Sequence, residues 1–335
     1  MNLSASTLNI ALGVALFIGL VLLMLLGDVG LTAAQWGDAF IHPQSLGFEI
    51  VWGIRLPRNL TAIGVGAMLG MSGALMQGLL RNPLAEPGLL GVSSGAGLGA
   101  AIAIACGLAL VPFAVEGFAL LGAAGIALLL LLFVQRFPQR QSLILLGVGL
   151  SAFTGALMAL VFNLAPSPVS LTEIYRWLMG SVADRTWYDV LVCVLGLGAA
   201  GALSLTLGKG LRFLTLGDET ARSMGVDMAR LTSIIVIGSS LLAGLSVAVA
   251  GVIGFVGLAA PHFVRAMGVK DPFRLIWPSA LTGGVMVLIA DALTRLVAIV
   301  LPASGDIRLG VLTSLIGAPL FAVLAYRSAK SWMQD

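Results

Sequence analysis

Runs of about twenty residues without a single Asp, Glu, Lys or Arg recur along this chain of 335 residues. They fall at positions 10–27, 59–80, 87–115, 117–135, 141–172, 190–208, 231–264, 275–290 and 309–326. A helix rises 1.5 Å per residue, so about 20 apolar residues cross the roughly 30 Å hydrocarbon core of a bilayer. Lipid offers no partner for a free backbone N–H or C=O, so only helices and closed barrels can cross it. A barrel strand alternates polar and apolar residues; these runs are continuously apolar, which leaves helices. Composition agrees: 59% of residues are apolar and 10% charged, against about 45–50% and about 25% in soluble chains. So few charges cannot coat a water-facing surface, which excludes a soluble enzyme, a disordered chain and a nucleic-acid binder. The 43 glycines fit helices that approach closely in lipid.

Two runs are too long for one span. Residues 231–264 hold Ala250-Gly-Val-Ile-Gly254, which reads as a turn between two helices. Residues 141–172 hold Asn163-Leu-Ala-Pro-Ser-Pro168, where proline ends the helix. The expectation is an all-α, polytopic transmembrane helical bundle of ten spans, one transmembrane domain over residues 1–335. An even count puts both termini on one side. With both in the cytoplasm, twelve of the eighteen Lys and Arg lie inside, as the positive-inside rule prefers. The six outside are Arg55, Arg58, Arg176, Arg185, Arg295 and Arg308. Trp36, Trp52, Trp177 and Trp187 fall at outer span ends, and Trp277 and Trp332 at inner ones, an aromatic belt. The first run has no basic residue before it and no clear cleavage site, and reads as a retained helix.

Ion-coupled carriers hold ionisable groups at mid-membrane. The spans offer only Asp291, with Arg295 four residues on, the spacing of a helical ion pair. No nucleotide-binding, zinc-binding or filter motif is present. Cys106 and Cys193 read as buried small residues, and the lone His262 as a structural group. The chain is therefore expected to have no catalytic residue, metal or cofactor of its own, and uphill transport would draw energy from a partner. The longest inner loop, residues 209–230, suggests where. Asp218 reads as an N-cap, Glu219 suits the first turn, and Gly225 is placed as a C′ residue. Two short helices joined at Gly217 result. They serve either as an interfacial amphipathic element or as a docking surface for a cytoplasmic protein.

Several segments together carry a resemblance. They are Arg55-Leu-Pro-Arg58, Gly73-Ala-Leu-Met-Gln-Gly78 and Arg81-Asn-Pro-Leu-Ala-Glu-Pro-Gly-Leu-Leu-Gly-Val-Ser-Ser-Gly95. Leu216-Gly-Asp-Glu-Thr-Ala-Arg-Ser-Met-Gly225, Gly254-Phe-Val-Gly-Leu-Ala-Ala-Pro-His-Phe-Val-Arg265 and Gly310-Val-Leu-Thr-Ser-Leu-Ile-Gly-Ala-Pro319 complete the set. In this order they resemble the FecCD family, permease subunits of binding-protein-dependent ABC importers for ferric siderophores, haem and cobalamin. The resemblance implies a multi-pass protein of the bacterial inner membrane and a homodimer or a pair of permeases. It also implies two cytoplasmic ATPases, which bind the ATP and Mg, and an extracytoplasmic binding protein that delivers an iron chelate or corrinoid. It assigns Arg55, Arg58 and Arg295 to binding-protein docking. Leu216, Gly217, Asp218, Glu219, Arg222 and Gly225 fall to ATPase coupling, and Asn82, Leu84, Gln141 and Ser142 to an inner gate. Arg308, Arg176 and Arg185 have no counterpart in it. The competing readings are a stand-alone secondary carrier or channel, and an ABC permease for free divalent metals.

Overall fold

A computed structural model describes residues 4–27, 30–137, 140–301 and 307–332, and their regular structure is entirely helical. Helix α1 (Ala5–Leu25) is followed by the short outer helix α2 (Ala33–Ile41). The continuous α3 runs over Leu46–Leu80, with its Glu49–Arg55 stretch wound as a π-helix. Next come α4 (Val92–Ala105), α5 (Ala114–Arg136), α6 (Arg140–Leu164), α7 (Pro168–Leu178) and α8 (Trp187–Leu205). Two short helices, α9 (Gly208–Leu214) and α10 (Asp218–Ser223), precede α11 (Met228–Ala250), α12 (Val256–Ala266), α13 (Ile276–Val300) and α14 (Leu309–Trp332). The side chains of Gln141 and Trp332 lie outside the described residues.

Helix α3 is the axis of the bundle. Its most apolar window is 89% buried, whereas those of α1 and α6 are 17% and 11% buried. Glycine makes that possible. A Cβ on Gly66 or Gly70 would collide with the backbone of α13 at Gly283 and Ser279, and one on Gly73 with the backbone of α12 at Gly257. Bare backbones let the three helices touch, which is how helices gain packing energy where lipid supplies no hydrophobic drive. The outward faces of α1 and α6 carry Phe17, Leu145 and Phe153 exposed, as a lipid-facing or partner-facing surface requires.

Both expected breaks are present. Helix α6 stops at Leu164, and α7 starts with Pro168 at its first position, where the missing N–H is no loss; the Ser167 hydroxyl accepts from Ser170 N (3.1 Å). Helix α11 stops at Ala250, with Gly251 at φ +69°, and the chain runs on without helix to Phe255. Among the described residues, seven helices are long and apolar enough to cross a bilayer, against the ten spans expected. The shortfall comes from α4 (14 residues), α12 (11 residues) and the apolar part of α14, Leu309–Pro319. Irregular chain takes the place of α-helical turns beside two of them: residues 81–91 ahead of α4, with one 3-10 turn at Pro87–Leu90, and residues 251–255 ahead of α12.

Candidate functional site

At the outer end of α13, Asp291 is 1% exposed and receives two guanidinium groups. Arg58 of α3 donates to its Oδ1 (2.8 Å), and Arg295, one turn along α13, donates to its Oδ2 from Nε (2.9 Å). The expected i, i+4 pair is therefore formed, with a second arginine added. Arg295 also donates to Asn59 Oδ1. The end of α1 explains the rest of the arrangement. A helix leaves its last carbonyls without intrahelical partners, and they carry negative partial charge. Arg55 donates to Met24 O (2.7 Å), and Arg295 to Leu23 O (3.2 Å) and Leu26 O (3.0 Å). Two arginines thus cap one helix. Arg55 and Arg295 are 4% and 3% exposed, so they face inward; only Arg58 is partly open. Beside them lies a cleft of about 130 Å³ walled by Arg58, Arg295, Arg308, Asp184 and Ser181.

The inner loop is built in the opposite way. Helix α9 turns Leu211 and Leu214 into the core. Arg212 donates to Asp271 Oδ2 (2.8 Å), and its guanidinium lies 5.5 Å from the Phe273 ring centre. Asp271 also accepts from Phe273 N (2.9 Å) through Oδ1, so one carboxylate ties α9 to the turn before α13. Helix α10 points outward. Leu216 and Met224 are 59% and 53% exposed, and Glu219, Arg222 and Gly225 are exposed beside them. Only Ala221 of this helix is buried. The cap differs from expectation: Gly217, at φ +111°, is the N-cap, and Asp218 is the first helical residue. Glycine takes that backbone conformation without strain, and Asp218 and Glu219 both stand in the first turn, where the dipole favours them. The end matches: Gly225 at φ +82° donates to Arg222 O (2.9 Å), and Val226 donates to Ala221 O (3.0 Å). That is a Schellman motif.

A cavity of about 440 Å³ lies between α3, α4, α6, α7 and α11. Its floor is the loop 81–91. Arg81 leaves α3 at φ +50°. Asn82 Oδ1 then accepts from Leu84 N (2.9 Å), an Asx turn. Beyond it Glu86 lines the cavity against the first turn of α12, its Oε2 3.8 Å from the position that a Cβ on Gly257 would take. Ser142 is half-buried at the start of α6. The loop meets α6 further along, where Ser151 Oγ donates to Leu89 O (3.5 Å) and a Cβ on Gly147 would lie 2.7 Å from Leu90 Cα. Sequence reasoning passed over Glu86 and Asp271. Pro83 and Pro87 around Glu86 were the available signal, since they bar a regular helix from carrying it past the membrane edge. Among the described residues, no three His, Cys, Asp or Glu side chains cluster as metal ligands.

The profile of the FecCD transport family matches residues 15–327. The vitamin B12 import system permease protein BtuC of Citrobacter koseri is 36% identical over 324 residues, covering 96% of this chain and 94% of that protein. BtuC of Yersinia pestis is 37% identical over 297 residues, 87% of each chain. Among solved structures, an inward-facing transporter described as of metal-chelate type superposes with a TM-score of 0.84 at 33% identity, over 96% of this chain and 99% of that one. PsaBC of Streptococcus pneumoniae shares the fold, with a TM-score of 0.56 at 18% identity over 87% of this chain and 95% of that one.

Proposed function

The chain belongs to the FecCD transport family, and from that premise we propose how this permease subunit of an ABC importer works and what it carries. It sits in the bacterial inner membrane with ten passes and both termini in the cytoplasm, the three short helices completing their passes with non-helical chain. Two copies form the translocation unit. Two cytoplasmic ATPases bind ATP and Mg and hydrolyse it. The cargo is a corrinoid or an iron chelate; the 36% identity to a vitamin B12 permease supports the corrinoid.

One observation carries the energy input. The chain has no nucleotide motif, yet two large apolar side chains, Leu216 and Met224, stand exposed at the two ends of α10, a helix capped at both ends. An exposed, ordered apolar edge beside charged Glu219 and Arg222 is a protein-docking surface. Helix α10, with Gly217, Asp218 and Gly225 setting its shape, seats in the ATPase. Helix α9 passes the movement on through its buried leucines. On the other side of the membrane a binding protein docks over the cleft at Arg58. Arg55 and Arg295 hold that cleft in shape from beneath. Asn82 and Leu84, with Gln141 and Ser142 at the start of α6, form the inner gate.

The test is to break α10 alone. Ala221 N donates to Gly217 O (2.9 Å), so Ala221→Pro removes that bond inside a very short helix. Co-purified with ATPase and binding protein in lipid, the variant is expected to keep its dimeric size and its docking of binding protein. It is expected to lose stimulated ATP hydrolysis and uptake together, by about tenfold or more. Wild-type uptake would place the energy input elsewhere.

A further inference from the structure

Two segments outside the α-helices sit at membrane depth, and they meet at the large cavity. Gly257 lies nine residues from the inner end of α12, and Leu69 eleven from the inner end of α3. At 1.5 Å per residue that is about 14 to 16 Å, near the middle of a core roughly 30 Å thick. Both residues line the cavity with Glu86, so Glu86 is an ionisable group at mid-membrane. Such groups are rare, costly and functional by default. Irregular backbone at this depth is likewise tolerated only where it is buried in protein or lines a polar cavity.

Three polar side chains of the chamber stand close together. A Cβ on Gly88 would lie 3.2 Å from Glu86 Oε1 and 3.8 Å from Ser93 Oγ, so carboxylate and hydroxyl flank the same bare backbone. Ser94 follows on the same helical turn and also lines the cavity. Leu69, Met158, Leu178 and Ala243 supply apolar lining, and Thr154 of α6 lines the cavity as well. The half-length helix α12 supplies the deciding term. A broken helix starting at mid-membrane presents free N–H groups and a positive dipole end, which in transporters commonly receive an anionic group of the cargo. Here the chain's own Glu86 stands at that place, its Oε2 3.8 Å from the position of a Cβ on Gly257 in the first turn. What remains for a cargo is acceptor chemistry: the carboxylate and the Ser93 hydroxyl.

We propose that Glu86 is a specificity-determining residue: with Ser93 it makes this chamber a site for the hydrogen-bond-donating, neutral or cationic edge of a chelate, and discriminates against carboxylate-bearing ones. The proposal deepens the importer reading and rests on it for the cargo, but the chamber's charge preference can be read without any cargo. Amide N–H, hydroxyl and ammonium groups pair with Glu86, and the apolar wall receives the bulk of the molecule. A carboxylate brought to the same wall is repelled by Glu86 and finds the α12 terminus occupied.

Ser93→Cys, with Cys106→Ser and Cys193→Ala to remove other thiols, is assembled with its partners in lipid without nucleotide. At pH 8.5 its reaction with a positively and a negatively charged methanethiosulfonate is timed. Each rate is divided by that of a small free thiol. The cationic reagent is expected to react at least tenfold faster, and Glu86→Gln, which keeps the side chain's shape without its charge, is expected to bring the ratio below about threefold. Equal rates with Glu86 present, no labelling by either reagent, or a ratio unmoved by Glu86→Gln would each overturn the proposal. Uptake then tests the cargo separately. Cyanocobalamin, rimmed with primary amides, is compared with its monocarboxylate, in which one amide is hydrolysed. Wild type is expected to favour the amide form about tenfold in kcat/KM, and Glu86→Gln to lose most of that preference. Intact charge selectivity with neither corrinoid carried would refute the corrinoid cargo and leave the chamber's selectivity standing. A preference for the amide form that survives Glu86→Gln would refute the role of Glu86.

Discussion

The two ends of this bundle use arginine–aspartate pairs to opposite purposes. At the outer end, Asp291 holds Arg58 and Arg295, with side-chain exposures of 2% for Asp291 and Arg295 and 17% for Arg58. At the inner end, Arg212 and Asp271 form a pair of the same kind at 49% and 29% exposure. Burial sets what each can do. The outer pair has left water, so each charge depends on its partners, and removing one strands the rest. It functions as a lock between α1, α3 and α13. The inner pair stays hydrated, contributes little to stability, and can slide or break as α9 moves. The lesson is that the outer end is built to keep its shape and the inner end to transmit a change of shape.

Four substitutions test that contrast, taken in order of their effect on stability. Asp291→Ala leaves two guanidinium groups without their carboxylate and is expected to cost about 3–5 kcal/mol. The readout is loss of the monodisperse peak after mild heating in detergent; adding Arg295→Leu to Asp291→Ala is expected to recover part of it. If Asp291→Ala melts like wild type, the outer end is no lock. Gly73→Ala presses a methyl onto the Gly257 carbonyl and is expected to cost about 1–3 kcal/mol. It would also loosen α12, so Ser93→Cys labelling in the chamber should accelerate.

Arg212→Ala is expected to cost about 1 kcal/mol or less, in a salt-dependent way. If the inner pair transmits movement, ATP hydrolysis should persist while transport per ATP falls. An equal loss of both would mean that Arg212 only helps the ATPase to bind. Leu216→Asp is expected to shift stability least, within about 0.5 kcal/mol, since the side chain is in water. It should nevertheless abolish stimulation of the ATPase. The two ends differ most at these extremes: the costliest change touches no proposed partner, and the cheapest stops the machine.

Much of the fold was legible because it follows from local chemistry. Gly251 and the Pro166–Pro168 stretch end helices wherever they stand, and Gly225 closes α10 as its sequence neighbours require. The Asp291–Arg295 pair is a matter of helical spacing. Asp218 was misplaced by one residue because Gly217 can adopt φ +111° and so takes the cap position itself. Docking by Arg55 and Arg295 is what the family resemblance implies. Their immediate partners are the carbonyls at the end of α1, and for Arg295 those are 269 and 272 residues away in sequence.

The sequence alone determined that this chain is a multi-pass helical bundle, because span length and proline breaks act residue by residue. Tertiary structure alone decided which charges are buried and which are exposed, and that a carboxylate stands against the first turn of α12. Those outcomes depend on distance in space: Glu86 reaches that position only because the segment 81–91 folds back to meet the start of α12. No pattern of neighbours along the chain encodes which helix end will be waiting there.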